Sequence, residues 1–457
     1  MIKFLLLLLS SPLCLAAPKP PNIIYILADD LGYGDLSING QQKFKTPNID
    51  SIGKQGMVFT NHYSGNTVCS ASRAVLMTGL GSGKCYVRGN MKNESDAAIP
   101  KEFITLPEVL KEAGYVTGAF GKWGLGVTNS ENKEELPSMH GFDEFCGWKS
   151  QRIAHTYYPS SYVHNGQEVP LDGKTYADSI FWEAARTFIK ANAATETPFF
   201  CYIPTAVPHA AMHAPEALHT KWRSKFREYD KVIGKYSAGP GEKTPDVTNP
   251  IAGFAAMMEH LDIQVGKVLA EVKELGIEEN TLIIFASDNG THNEGGHDPE
   301  FFNSSAGLKG MKRSLYEGGI RTPMMALWTG TITPGSKAHI LSGFQDVFPT
   351  LAEAADRRAP YKVNGISFLP TLTGKGYQKK HAYLYFEYYK DEKPFAQALR
   401  SDTLKVIREK GQLHELYDLE VDPYEENNLA GSPNYIDILK SAKEIMVKES
   451  KPMNRSH

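Results

Sequence analysis

Hydrophobic positions along this chain recur in two ways. Some runs have no polar gap: Asn22-Ile23-Ile24-Tyr25-Ile26-Leu27-Ala28, residues 198–203, and Thr281-Leu282-Ile283-Ile284-Phe285-Ala286. They are rich in β-branched and aromatic residues and have the length of strands. A strand without a polar face is one covered on both sides, as in a parallel sheet. Residues 57–61 and 115–120 are read as further strands. Between these runs lie segments of helical spacing. They are 47–54, stopped by Gly56; 106–113, with Thr105 as N-cap and Gly114 past its end; 176–190, with Ile180, Ala184 and Phe188 on one face; and 251–275, where Phe254, Met258, Leu261, Val265, Leu269 and Val272 form a stripe ended by Gly276. The alternation predicts an α/β fold: a large, mostly parallel central sheet flanked by helices. From about residue 376 the pattern changes to short strands at 383–389, 396–400, 404–408 and 414–419, then a helix at 435–448. This predicts a small C-terminal antiparallel sheet plus helix, dividing the chain into domains at 18–375 and 376–457. Residues 127–175 show no period and are read as a long irregular loop.

Composition changes this picture only at the start of the chain. With 457 residues, 41% hydrophobic and 22% charged, the protein is ordinary globular material. Its net charge of -3 provides no basic field for nucleic acid. Lys3, an unbroken apolar run from Phe4 to Leu9, and Cys14-Leu15-Ala16-Ala17 read as a signal peptide over residues 1–17. Export to the periplasm or the extracellular space is therefore expected, without stable membrane insertion, because that run is too short to span a bilayer. Asn93-Glu94-Ser95 and Asn303-Ser304-Ser305 match the glycosylation pattern, which matters only in a eukaryotic host.

The candidate chemistry follows the strands. Asp29 and Asp30 end the first buried run, and Asp288 and Asn289 end the last. Paired carboxylates at buried strand ends are costly unless they are paired or on a metal, and strand C-termini are where open α/β sheets bind ligands. Three carboxylates and a carboxamide make an all-oxygen site suited to Ca²⁺ or Mg²⁺ rather than zinc. Lys122 stands among glycines after the strand at 115–120, placed to reach an anion. Val68-Cys69-Ser70-Ala71-Ser72-Arg73 joins a loop to a small-residue and apolar run, so Cys69 opens a helix, where negative charge is favoured. Arg73 lies one turn on, on the same face. His209 follows the strand at 198–203, and His213 stands four residues later. Residues 291–300 hold His292, Glu294, His297, Asp298 and Glu300, a spacing that fits no standard zinc motif.

The motif from Cys69 to Arg73, followed by an apolar run and Thr78-Gly79, resembles the signature of the formylglycine-dependent sulfatases, with Ala71 where most members have proline. The resemblance extends along most of the chain and implies the alkaline-phosphatase-like fold. It implies that Cys69 is oxidised to formylglycine by a formylglycine-generating or anaerobic maturase enzyme. It makes Asp29, Asp30, Asp288 and Asn289, with modified Cys69, the ligands of one Ca²⁺, ahead of Mg²⁺. It makes Arg73, Lys122 and Lys312 the cations around sulfate and formylglycine, and His209 the group near the leaving oxygen. The implied reaction is sulfate-ester hydrolysis through a hydrated aldehyde, with His209 or Lys312 protonating the departing sugar oxygen. One position departs from the pattern. Gly124 stands where the family often has a histidine, and His62 and His155 are the candidates to replace it.

Arg152, His155, His292, His297 and Glu300 lie on loops that would rim the pocket and are expected to bind substrate. The stretches Gln151-Arg152-Ile153-Ala154-His155-Thr156-Tyr157-Tyr158 and Gly296-His297-Asp298-Pro299-Glu300 are similar to those of bacterial sulfatases acting on sulfated galactose or N-acetylgalactosamine, the sugars of galactans and glycosaminoglycans. Two other readings stay open: a phosphodiesterase or phosphonate hydrolase of the same superfamily, and a non-catalytic carbohydrate-binding relative. With Cys14 in the leader and Cys69 assigned to chemistry, Cys85, Cys146 and Cys201 allow at most one disulfide.

Overall fold

The buried runs are the central strands of one sheet. A computed structural model describes residues 19–90, 93–237, 244–390 and 393–451, so the leader expected at 1–17 lies outside the described residues. Ten strands stand in the order Ser336–Ala338, Met57–Phe59, Met324–Leu327, Thr281–Ser287, Asn22–Ala28, Phe199–Pro204, Val116–Gly121, Glu144–Gly147, Ser161–His164 and Gln167–Pro170. The middle five, from Thr281–Ser287 to Glu144–Gly147, are mutually parallel. Their carboxyl ends therefore lie on one edge.

Alternation along the central strand decides which layer each side chain enters. Ile24, Ile26 and Ala28 face a core shared with Ala177–Ala193 and Pro250–Glu274, and Ile23, Tyr25 and Leu27 face one shared with Cys69–Thr78, Leu106–Glu112 and Phe344–Ala354. Leu106–Glu112 begins at Thr105, whose side chain and that of Glu108 form a reciprocal cap. The helix Cys69–Thr78 is buried along its whole length, which is why its residues are small or apolar apart from Arg73.

Residues 127–175 are less irregular than their sequence suggests. They supply three of the ten strands: Glu144–Gly147, Ser161–His164 and Gln167–Pro170. The outer two are four-residue edge strands with polar, solvent-facing positions, so no long apolar run marks them. Cys69, Cys85, Cys146 and Cys201 are all buried free thiols, and no disulfide joins the described cysteines. No helix among the described residues is long and apolar enough to cross a membrane.

The expected C-terminal strands are Leu384–Lys390, Lys393–Arg400, Leu404–Glu409 and Gln412–Asp418, a sequential antiparallel meander, followed by the helix Ile436–Glu449. This sheet meets the main body through buried charge. Lys405 Nζ lies 3.0 Å from Glu317 Oε1 and 3.0 Å from Glu425 Oε1. Tyr63 donates to Glu317 Oε2 at 2.8 Å and accepts from Arg400 Nε at 2.7 Å. Glu317, Lys405 and Tyr63 are fully buried. Glu317 leads into Gly318 and Gly319, which cover the strand end at Gly290: a Cβ on Gly290 would come within 1.9 Å of the Gly318 oxygen.

Removing one partner from such a network leaves an uncompensated buried charge. Lys405→Met is expected to cost about 3–5 kcal/mol in chemical denaturation, and Glu317→Gln in the same chain should return part of that loss. A second expectation concerns acid. His62 packs on Phe59 and Phe344 with Nδ1 3.0 Å from Ser342 Oγ, and burial pushes its imidazole down to about 3. The unfolded chain therefore binds a proton that the folded chain refuses between about pH 6.5 and pH 3, so stability falls as pH drops through that window. His62→Phe should recover roughly 2–3 kcal/mol of the stability lost between neutrality and about pH 4.5; an unchanged pH slope would remove His62 from the acid response.

Candidate active site

Four chain segments bring their polar residues to the carboxyl edge of the sheet. Asp29 and Asp30 follow Asn22–Ala28, and Asp288 and Asn289 follow the adjacent parallel strand Thr281–Ser287. The Asp288 N–H donates to the Ala28 carbonyl at 3.1 Å, and the Asp30 N–H donates to Asp288 Oδ1 at 3.1 Å. Asp30 holds a left-handed backbone with φ 60°, which turns its carboxylate back toward the edge. Lys122 directly follows Val116–Gly121, and His209 lies five residues beyond Phe199–Pro204. Cys69 enters from the first turn of its helix.

The charges interlock. Arg73 donates from Nε and Nη2 to Asp288 Oδ2 at 3.0 and 2.8 Å, and from Nη1 to the Lys122 carbonyl at 2.6 Å. Lys122 Nζ donates to Asp29 Oδ2, and Lys312 Nζ donates to Asp30 Oδ2 at 2.6 Å. Asn289 Nδ2 donates to Asp30 Oδ1 at 2.6 Å, while Asn289 Oδ1 is buried and has no hydrogen-bond partner. The Cys69 thiol donates to Asp29 Oδ1 at 3.2 Å and lies 3.7 Å from Asp30 Oδ1. Ligand atoms of Asp29, Asp30, Cys69 and His209 all fall within 4.8 Å of one another.

Burial alone would raise the Asp29 carboxyl, but Lys122, then His209 and Arg73, hold it well below the usual carboxylate range. Burial and then the neighbouring Asp29 charge push Asp288 up to about 7, against the pull of Arg73. Burial and Asp29 also push the Cys69 thiol well up. An unmodified Cys69 is thus held protonated, which makes it a poor nucleophile.

Two imidazoles face this cluster. His209 and His155 stack with centroids 3.7 Å apart and planes 5° from parallel. His209 Nδ1 lies 2.7 Å from the Ala210 carbonyl, to which it donates, leaving Nε2 to accept from Lys312 Nζ at 2.9 Å. His155 Nε2 lies 3.0 Å from Lys122 Nζ, and Tyr236 OH meets its Nδ1 at 3.1 Å. Burial lowers both rings well below the usual histidine range, with Lys312 adding to the effect at His209 and His209 at His155. Burial would lower Lys312, but Asp30 outweighs it, so the ammonium is stabilised. The arrangement keeps a proton on Lys312 and holds that ammonium against a neutral imidazole.

The residues singled out in the sequence divide into two groups. Asp29, Asp30, Cys69, Arg73, Lys122, His209, Asp288, Asn289 and Lys312 gather in one cluster. Of the residues expected to bind substrate, His155 lies in it and His292 stands beside it, its ring 5.4 Å from that of His209. The other three do not join. His297 is a core histidine: its ring stacks on Phe254 at 3.8 Å and its Nε2 meets Thr291 Oγ1 at 3.2 Å. Glu300 is exposed, and among the described residues its side chain makes no hydrogen bond or ion pair. Arg152 is exposed, with its backbone N–H donating to Glu94. His62 lies in the core and has no part here, so only His155 stands near the place that Gly124 leaves. Gly124 itself has φ +75°, and a Cβ there would come 3.1 Å from both Arg73 Cδ and Gln151 Oε1.

Three residues were missed as site residues. Tyr236 closes over His155 and His209, with ring centroids 5.7 and 5.8 Å away. Gln151 accepts from the Ser70 hydroxyl. Glu294 lies 3.6 Å from Lys312 Nζ and 3.7 Å from His209 Nε2. Glu294 carried a signal as one acid of the group at 291–300, and Gln151 as the first residue of the stretch 151–158 singled out above; nothing in the pattern marked Tyr236.

Residues 21–357 match the sulfatase family, and residues 310–452 match the C-terminal region described for N-sulphoglucosamine sulphohydrolase. The chain is 32% identical over 400 residues to N-acetylgalactosamine-6-sulfatase of Mus musculus, covering 80% of this chain and 69% of that protein. It is 31% identical over 460 residues to arylsulfatase A of Bos taurus, covering 92% and 85%. Among solved structures, Ps i-CgsB superposes with a TM-score of 0.80 at 26% identity over 96% of this chain and 94% of that one. A Bacteroides thetaiotaomicron protein described under the metabolism of multiple glycosaminoglycans superposes with a TM-score of 0.77 at 25% identity over 95% and 100%. With its acids, cations and cysteine gathered at one sheet edge, the chain belongs to the sulfatase family and is a sulfuric ester hydrolase.

Proposed function

We propose that this enzyme removes sulfate from a sulfated sugar, using a formylglycine at position 69 and one divalent cation held by Asp29, Asp30, Asp288 and Asn289. The observation that carries the reading is the convergence of these four residues, from two strands far apart in sequence, around Cys69 with Arg73, Lys122 and Lys312 beside them. The donors fit the ion. All are hard oxygens, and Asn289 Oδ1 is a buried acceptor with no hydrogen bond of its own. Ca²⁺ is favoured over Mg²⁺, which gives up its water reluctantly to an all-protein cage. When bound, the ion supplies positive charge to an ester oxygen, and hydrated formylglycine supplies the oxygen nucleophile that a buried thiol does not.

The chain's own residues do the rest. Three carboxylates and three cations cancel formally in the cluster, so the divalent ion leaves it positive and ready for an anionic ester. Arg73, fixed by two bonds to Asp288 and one to the Lys122 carbonyl, holds its position without reorganising. Lys122 and Lys312 flank the place where sulfate oxygens collect charge. Lys312 holds the proton that the departing sugar oxygen needs, and His209 Nε2, which accepts from its ammonium, orients it. His155 occupies the far side of Lys122, as the ring that Gly124 cannot supply.

The names of the relatives guide the substrate. One acts on N-acetylgalactosamine 6-sulfate by its name, and the Ps i-CgsB structure is also known in complex with k-i-k-neocarrahexaose. A sulfated galactose or N-acetylgalactosamine unit of a galactan or glycosaminoglycan is the substrate class we assign. Export to the periplasm or beyond, and maturation by a formylglycine-generating or anaerobic maturase, belong to the same reading.

Two measurements test it. Chelation should abolish sulfate release, and added Ca²⁺ should restore it. Ca²⁺ at about a hundredfold above its dissociation constant should stabilise the wild-type fold by about 2.7 kcal/mol. Asp288→Asn should lose most of that gain, and equal stabilisation of both chains would remove Asp288 from the ion. Mass spectrometry of the peptide containing Cys69 should find an aldehyde in the active, exported enzyme, and Cys69→Ala should release no sulfate. A thiol at position 69 in an enzyme of full activity would overturn the modification, and preference for phosphate over sulfate esters would favour the phosphodiesterase.

A further inference from the structure

Glu294 is an acid placed where the reaction needs none. Its Oε1 is tied to Arg313 Nη2 at 2.9 Å, and its backbone N–H donates to His292 Nδ1 at 3.0 Å, so both ends of the residue are fixed. Its Oε2 is buried and has no hydrogen-bond partner among the described residues, yet lies only 3.6 Å from Lys312 Nζ and 3.7 Å from His209 Nε2. These are the groups that meet the departing oxygen. The side chain keeps 23% of its surface exposed where Lys312 keeps 2%, so the residue stands on the outer side of that pair. Lys312 and Arg313 outweigh its burial and keep the carboxyl ionised. An ionised acceptor beside a proton donor to the leaving oxygen can do one thing well: take a hydrogen bond from a hydroxyl close to that oxygen.

Resting on the reading of this site as a sugar sulfatase, we propose that Glu294 is a specificity-determining residue. It accepts a hydrogen bond from the hydroxyl on the carbon next to the sulfate ester, and so selects sugars in which that neighbour is unsulfated. The spacing supports this: vicinal oxygens on a sugar ring stand about one hydrogen-bond length apart, so one sugar can set its ester oxygen against His209 Nε2 and the neighbouring hydroxyl against Oε2, 3.7 Å from that nitrogen. Charge supports it too. A sulfate on the neighbouring carbon would stand against the Glu294 carboxylate, and like charges in a partly desolvated site repel strongly. The pocket thus collects one anion over Arg73, Lys122 and Lys312 and turns away a second at its rim.

The test uses the matured, Ca²⁺-loaded enzyme on the ring and 6-O monosulfates of galactose and N-acetylgalactosamine; cleavage of the 6-O sulfates alone, where the neighbouring carbon bears no hydroxyl, overturns the assignment and leaves the sulfatase reading standing. For whichever is cleaved, two analogues are added: one lacking the neighbouring hydroxyl, and one carrying a second sulfate there. Wild type should lose roughly 10–100-fold in kcat/KM on the deoxy analogue, mostly through KM, and should be slower still on the disulfate. Glu294→Ala, which removes the acceptor, should lose a similar factor on the monosulfate and be indifferent to removal of the hydroxyl, and both it and Glu294→Gln, which removes the charge, should cleave the disulfate better relative to the monosulfate by about tenfold or more. Equal losses by Glu294→Ala on all three sugars, or additive effects of removing the carboxylate and the hydroxyl, overturn the assignment and leave the sulfatase reading standing. Failure of wild type to release sulfate from any sugar overturns both.

Discussion

The structure depends on cancelling charge at a place where charge is expensive. Asp29, Asp30 and Asp288 are fully buried, and so are Arg73 and Lys122. An isolated ion in such surroundings costs several kcal/mol after relaxation. The carboxylates are tolerable only because each meets a cation: Asp288 meets Arg73, Asp29 meets Lys122, and Asp30 meets Lys312. Each cation comes from a different segment. Each carboxylate is therefore compensated only once its own two segments have met, and all three pairs need the closed sheet edge.

That closure is held from the far side by a second buried network. Lys312 hangs on a loop whose backbone is pinned at both neighbours: the Lys312 N–H donates to the Thr291 carbonyl at 2.8 Å, and the Arg313 N–H to the Thr67 carbonyl at 3.1 Å. Thr67 precedes the helix that presents Cys69, and Thr291 follows the strand that presents Asp288. The same loop continues to Glu317, gripped by Lys405 of the C-terminal sheet, and its Gly319 carbonyl accepts from the Gly290 N–H at 3.0 Å. The small sheet is thus a clamp. It reaches the sulfate site through Glu317, Gly318 and Gly319 and makes no claim on the chemistry itself.

What could be read from the sequence follows this division. Strands such as Asn22–Ala28 were legible because a two-sided core demands an unbroken apolar run, and the acids at their ends stood out against it. Short peripheral strands such as Ser161–His164 and the edge strand Gln167–Pro170 were not legible, because much of their surface faces water and their pattern matches that of a loop. The singled-out residues that end a strand or open a helix are the ones that converge, since the backbone direction sets where they point. The rim was harder. His155 and His297 looked alike as loop histidines, yet one stacks on His209 and the other on Phe254, a difference made entirely by long-range packing. Tyr236 carries no local signal at all, since its place over His155 is created by tertiary structure.

Gly124 shows how one departure from a family pattern is absorbed. With φ +75° and Arg73 Cδ 3.1 Å from where its Cβ would stand, the position disfavours a side chain. The imidazole beside Lys122 is that of His155, on a segment that also carries Gln151, whose side-chain oxygen accepts from the Ser70 hydroxyl. That contact bears on substrate choice. His155 touches Lys122 on one side and Tyr236 on the other, so a single ring links the charged floor of the site to its wall. A sugar that displaces Tyr236 would reorient the ring that faces Lys122, and the groups that recognise the substrate would then be coupled to those that hold its sulfate.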